Sequence, residues 1–269
     1  MTVGAKVSTI WYVDTPDPVT VLRGHPQSDP DAAQALASRL YPDLVATPTG
    51  SASLSEASAV DQDGTVYIGC YSGVTVVCSA DLTIPRPSTL PESWLPVPEF
   101  ERIYYVASKP GLAWGSFAMW ENGKMARSFS ATPVHIHEDL GLPLVWERPY
   151  WAGEFPLRYP PGVLPDPQSL PFHPQQFAEG ANRNWLGFRY TGPREDSELD
   201  PKSLPVLAFS VHRPGEGPAA DVEEPETPKP EPVSAPVSEP APAPVPAPVA
   251  VEPPSSIRRP GRLRRYFGF

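Results

Sequence analysis

Over the first 213 positions, apolar and β-branched residues fall in short runs, and the spacing within each run sets the element it predicts. Residues 5–13 are β-branched and aromatic with partial alternation, which reads as a strand. Asp14-Thr15-Pro16-Asp17-Pro18 stops it. An Asp-Pro-Asp entrance at 29–31 then starts a helix over 32–41 with Ala35, Leu36 and Leu40 on its apolar side, and Pro42 ends it. Residues 65–71 and 74–78 flank Ser72-Gly73, a short turn suited to a hairpin. Residues 85–98 read as loop, anchored to the core by Trp94. Strands follow at 102–107 and 115–121, and Asn122-Gly123, the clearest hairpin signal, leads into 124–131. From 133 to 171 the pattern is irregular and aromatic-rich, with 134–139 as a short edge strand. Phe177, Ala181 and Trp185 recur at helical spacing from Pro174, and Gly187 suits the stop. A last strand covers 205–211. The layering this implies is α+β: a single mostly antiparallel or mixed sheet of five to six strands with two helices.

Beyond residue 213 the pattern changes. Residues 214–256 hold 14 of the 40 prolines, and 235–251 is little more than Ala, Pro, Val and Glu. Such a composition predicts a disordered proline-rich tail, an extended spacer with too little bulky apolar surface to offset its ordering entropy. The expected organisation is a globular α+β domain at 1–213, an acidic linker at 214–256, and a basic, aromatic tip at 257–269. The linker carries eight acids and one base, whereas the tip carries five arginines and no acid. With a net charge of −10 overall, this leaves −8 on residues 1–213. That charge disfavours nucleic acid as a ligand of the domain.

The chain has two cysteines, no signal-peptide pattern and no apolar run long enough for a membrane span, so a cytoplasmic location with reduced thiols is expected. In the two-residue hairpin, Cys70 would face Thr75 and Cys78 would face Tyr67, so the pair is not opposed.

Several local patterns occur together. They are Gly4-Ala5-Lys6, Val66-Tyr67-Ile68-Gly69, Phe117-Ala118-Met119-Trp120-Glu121-Asn122-Gly123, Pro149-Tyr150-Trp151-Ala152-Gly153-Glu154, Leu170-Pro171-Phe172-His173-Pro174 and Leu186-Gly187-Phe188. The set resembles an uncharacterised domain family found in actinobacteria, over residues 3–211. The resemblance implies a bounded domain in a bacterial cytoplasm and brings no catalytic residue with it.

Candidate chemistry is sparse. His135 and His137 share a face of a strand, a workable spacing for two metal ligands, but a site needs a third and usually a fourth. Glu154 and His173 are the available additions, and nothing in the spacing joins them; the plainer reading is a solvated edge strand with no metal. Tyr150, Trp151 and Glu154 suit a pocket wall with one polar anchor, or else two rings plugging the core beside an exposed acid. His173 could serve as acid or base, or cap the helix that follows. No phosphate loop, dinucleotide fingerprint, metalloprotease helix or nucleophile elbow is present, and no cofactor is expected. In the tip, Arg262, Arg264 and Arg265 run into Tyr266, Phe267 and Phe269, a composition for a protein groove or an acidic membrane surface. The leading expectation is a non-enzymatic interaction or ligand-binding module whose tail presents this tip. The alternative is a small hydrolase-like enzyme built from the 150–154 loop and His173.

Overall fold

The structure is a computed structural model that describes residues 5–95, 100–157, 162, 166–192, 195 and 197–216. Its centre follows from the first strand. In β1 (Val7–Val13) every residue is buried. Trp11 and Val13 join one apolar cluster, and Ile10 and Tyr12 join another. Alternate strand residues point to opposite faces, so a strand buried throughout needs cover on both sides. The result is three layers around one sheet.

The remaining strands are β2 (Val45–Ser53), β3 (Thr65–Tyr71), β4 (Val74–Ser79), β5 (Arg102–Lys109), β6 (Trp114–Glu121), β7 (Lys124–Thr132), β8 (His135–Gly141) and β9 (Pro205–His212). Their order is β2-β9-β3-β4-β1-β5-β6-β7-β8, and every neighbouring pair is antiparallel. Helix α2 (Pro30–Leu40) covers one face. On the other lie α1 (Pro18–Arg23), the single turns α3 (Leu54–Ala57) and α4 (Arg148–Trp151), and α5 (Pro174–Leu186).

Local chemistry explains the helix ends. The Asp29 carboxylate accepts hydrogen bonds from Asp31 N and Ala32 N and opens α2. At the other end of the chain, α5 stops at Gly187, which takes the left-handed conformation open to glycine. Gly115 lets α5 approach the sheet, because a Cβ there would run into the Pro174 carbonyl.

Several expectations are corrected. Among the described residues the sheet has nine strands instead of five to six, and none of its pairs is parallel. The seven runs expected as interior strands all enter it, and β8 runs slightly longer than the short edge strand foreseen. The wholly unforeseen strand is β2, whose Pro48, Gly50 and surface-facing polar residues hide an edge strand with a bulge at Pro48/Gly50. Among the described residues there are five α-helices instead of two, because α1, α3 and α4 run for six, four and four residues, too short to show a period. The buried side of α2 is Ala33, Leu36, Ala37 and Leu40, with Ala35 facing outward. Consecutive strands pair in β3–β4 and from β5 to β8, while β9 inserts between β2 and β3, and β1 between β4 and β5. Among the described residues, no helix is long and apolar enough to cross a membrane.

Candidate interaction surface

The β6–β7 hairpin turns at Asn122-Gly123, both at positive φ. From β7 the chain reverses through Pro133-Val134 into β8, which ends the sheet order, and among the described residues nothing pairs with its outer edge. Phe129 and Ala131 of β7 face the cluster under α5. Arg127, two residues from Phe129, faces the same side with 0% exposure. A buried guanidinium needs a full set of acceptors. Its Nε and Nη2 donate to the Glu147 carboxylate at 2.8 and 2.9 Å. Nη1 donates to Asp139 Oδ1 at 2.5 Å and to the Ser128 and Leu140 carbonyls. Glu147, also 0% exposed, accepts further hydrogen bonds from Leu144 N at 3.0 Å and Trp151 Nε1 at 3.2 Å. The ion pair therefore pins a strap, residues 142–155, against the end of the sheet.

Gly141 makes the turn from β8 into this strap. Its φ is 80°, and a Cβ there would strike the Ala126 carbonyl. The turn leaves the strap's apolar residues outside. Among the described residues, eight large hydrophobic side chains are exposed, and six lie between Val134 and Phe155. Leu142 is 86% and Val145 81% exposed. Val134 just before β8 and Ile136 and Leu140 within it, on opposite faces of the sheet, are exposed too, and Phe155 lies beyond. Beside Val145 is an open hollow of about 400 Å³ lined by Met119, Leu144, Trp146 and Trp185. The Trp146 indole N–H is buried there without a hydrogen-bond partner. The opposite edge, β2, exposes Thr49, Gly50 and Ser51 with Pro48 alongside, a polar, proline-interrupted edge of the kind that discourages pairing. β8 also carries a bulge, between Ser130 and Ala131 of its partner, yet it is the apolar edge.

The residues singled out in the sequence separate here. Tyr150 and Trp151 are half-buried and packed inward: Trp151 meets Phe129 and Phe172 edge-on at 5.8 and 4.9 Å. Tyr150 meets Phe177 at 4.9 Å and donates its hydroxyl to the Gln176 carbonyl at 3.2 Å. They belong to α4 and the turn after it, not to an irregular loop. Glu154 is exposed, and its backbone N–H bonds the Pro149 carbonyl. His173 caps α5, its Nδ1 accepting from Gln175 N at 3.3 Å, and burial holds its pKa below the ordinary range. His135 and His137 meet edge-on at 4.7 Å. Among the described residues no group of three or more His, Cys, Asp or Glu side chains could hold a metal ion. Cys70 and Cys78 are free and buried, paired with Thr75 and Tyr67, and burial raises both thiols. Arg262, Arg264, Arg265, Tyr266, Phe267 and Phe269 lie outside the described residues.

Leu142, Val145 and the Arg127–Glu147 pair were not foreseen. A signal for the pair existed: Arg127 shares its face with Phe129 and Ala131, and a charge on a core-facing stripe implies a buried partner. The strap's apolar run, Leu142 to Trp146, carries no period that separates outward from inward residues. A larger groove of about 640 Å³ lies between α2 and the β3–β4 hairpin, with Asp29, Arg39, Cys70, Thr75 and Phe100 among its walls.

No curated protein and no solved structure matches the chain. The model of a family of unknown function, DUF6928, matches residues 7–209, and the chain belongs to that family.

Proposed function

We propose that this protein is a non-enzymatic interaction module that engages a protein partner along the β8 edge and the 142–155 strap. The observation that carries the reading is the concentration of exposed apolar side chains on that one border, held outward by a buried ion pair that fixes the strap's course. Large apolar patches on an otherwise charged surface mark association sites, and an unpaired strand offers backbone groups for an added strand. The partner's chemistry is thus an extended segment with apolar side chains. The tail adds a second element in this reading: the arginines and rings of 257–269 bind a protein groove or an acidic membrane surface.

The hydrolase alternative has less support. Tyr150 and Trp151 contribute to packing, and His173 is engaged at a helix cap. The test compares proteins captured from native lysate by the full-length chain, by L142D/V145D, and by residues 1–213. The reading expects the double variant to lose a partner that the native chain retains, and the shortened chain to lose a protein or lipid fraction. Matching profiles for all three would refute it.

A further inference from the structure

A separate cavity sits where the β5–β6 turn meets the end of the β7–β8 hairpin. Its volume is about 280 Å³, and its floor is Trp114 with Pro85 and Leu112. The Trp114 ring is fixed: its Nε1 donates to Ser130 Oγ at 2.8 Å, and the residue is buried. Leu112, by contrast, is 61% exposed and leaves an apolar wall open to water. Lys109, His137, Thr83 and Thr132 complete the lining, and the Thr132 hydroxyl donates to the His135 carbonyl at 3.4 Å.

Lys109 is the one charged side chain among the lining residues. No carboxylate lines the cavity. The nearest acid in sequence, Glu138, turns away: it accepts hydrogen bonds from Ser128 Oγ at 2.5 Å, and from Ser88 N and Oγ. Asp61, whose carboxyl Lys109 helps hold low, is bonded to Lys6. Arg86 adds its field to His137, whose pKa is lowered by burial first, then by His135 and Arg86. Among the described residues neither Lys109 nor Arg86 forms an ion pair. One lysine and an imidazole beside apolar residues, with no carboxylate among the lining, are therefore set in a chain of net charge −10.

We propose that this cavity binds a small organic monoanion: one aromatic ring against the Trp114–Leu112–Pro85 floor and a carboxylate at Lys109 and His137. Size agrees, since a cavity of about 150 Å³ admits benzene and sites for larger ligands start near 300 Å³. The ring removes exposed apolar surface from water. The carboxylate meets Lys109 and the imidazole N–H, while an ammonium would face like charge.

The test uses the full-length protein and three probes of one shape: phenylacetate, phenylacetamide and 2-phenylethylammonium. Binding is followed by NMR through the Trp114 indole N–H, assigned with W114F, and the His137 ring protons, assigned with H137Q. Phenylacetate is expected to give saturable shifts at both groups, with a Kd of roughly 1 mM. The amide should bind about threefold more weakly, the size of an exposed charge contact, and the ammonium weaker still. K109M, a change at an exposed strand end, should weaken phenylacetate about threefold and leave the amide unchanged. Saturation with phenylacetate should also raise the His137 pKa. Equal binding of all three probes, shifts that miss Trp114 and His137, or no saturation by about 10 mM would each overturn the assignment.

Discussion

Glu147 is the residue on which the candidate surface depends, and its removal has a calculable effect. Replacing it with Ala leaves the Arg127 guanidinium buried with only Asp139 as a charged partner, because both bonds to Glu147 are lost. It also strips the acceptor from Leu144 N and Trp151 Nε1. Breaking a buried pair by deleting one partner costs about 3–5 kcal/mol, chiefly the desolvation of the charge left behind. The two orphaned donors push toward the upper end. For a folded unit of this size, each kcal/mol moves Tm by about 2–4 °C, so E147A should melt about 6–20 °C lower. The assay is urea and thermal unfolding followed by tryptophan fluorescence, with the surface change E154A as control, expected within about 0.5 kcal/mol of native. R127M/E147L removes both charges together and should recover most of the loss, since apolar replacement of a buried pair is often neutral or stabilising. Within this scheme E147Q falls between native and E147A. If E147A loses less than about 1 kcal/mol, or if the double variant is worse than E147A, the buried pair is not what holds the strap.

Two further changes probe the scaffold. Glu179 of α5 is buried and accepts from Tyr190 N at 2.7 Å and Thr191 Oγ1 at 2.9 Å. Burial pushes its carboxyl from 4.5 up to about 7 despite those bonds. The folded state therefore holds a proton that the unfolded state releases, so stability falls as pH rises from about 4.5 to about 7, by a total of about 3 kcal/mol. E179Q should flatten that dependence between pH 5 and pH 8 in thermal melts; an unchanged slope would contradict the assignment. G115A should lower stability by about 1–3 kcal/mol through overpacking, because its methyl meets the Pro174 carbonyl and lies 2.7 Å from Gln175 N. Native-like urea unfolding of G115A would show that α5 yields without cost.

What could be read from the chain was what local chemistry encodes. The runs at β1, β3 to β7 and β9 carry β-branched and aromatic residues between turn residues, and they all became strands. Asp29, Pro174 and Gly187 marked helix ends because capping is a short-range interaction. Strand order was not legible, since β9 pairs with β2 and β3 across about 140 to 165 residues, and nothing in either run names its neighbour. The same limit hid the site. Tyr150 and Trp151 fitted either a pocket wall or a plug for the core because an aromatic cluster in an irregular stretch reads alike from inside or outside; Phe129, Phe172 and Phe177 draw them inward. Leu142 and Val145, which carry no sequence signal of their own, are exposed where Gly141 turns the strap outward before Glu147 anchors it. The two histidines of β8 stand close together, but no third ligand among the described residues converges on them.

The central claim is that the β8 border contacts another protein. Its most direct test is site-specific photocrosslinking in cells, with benzoylphenylalanine placed at Leu142 and, as the control on the opposite edge, at Val45, itself exposed. The account predicts a discrete heavier species from position 142, lost when V145D is added, and none from position 45. No crosslinked species from position 142, or the same species from both edges, would contradict it.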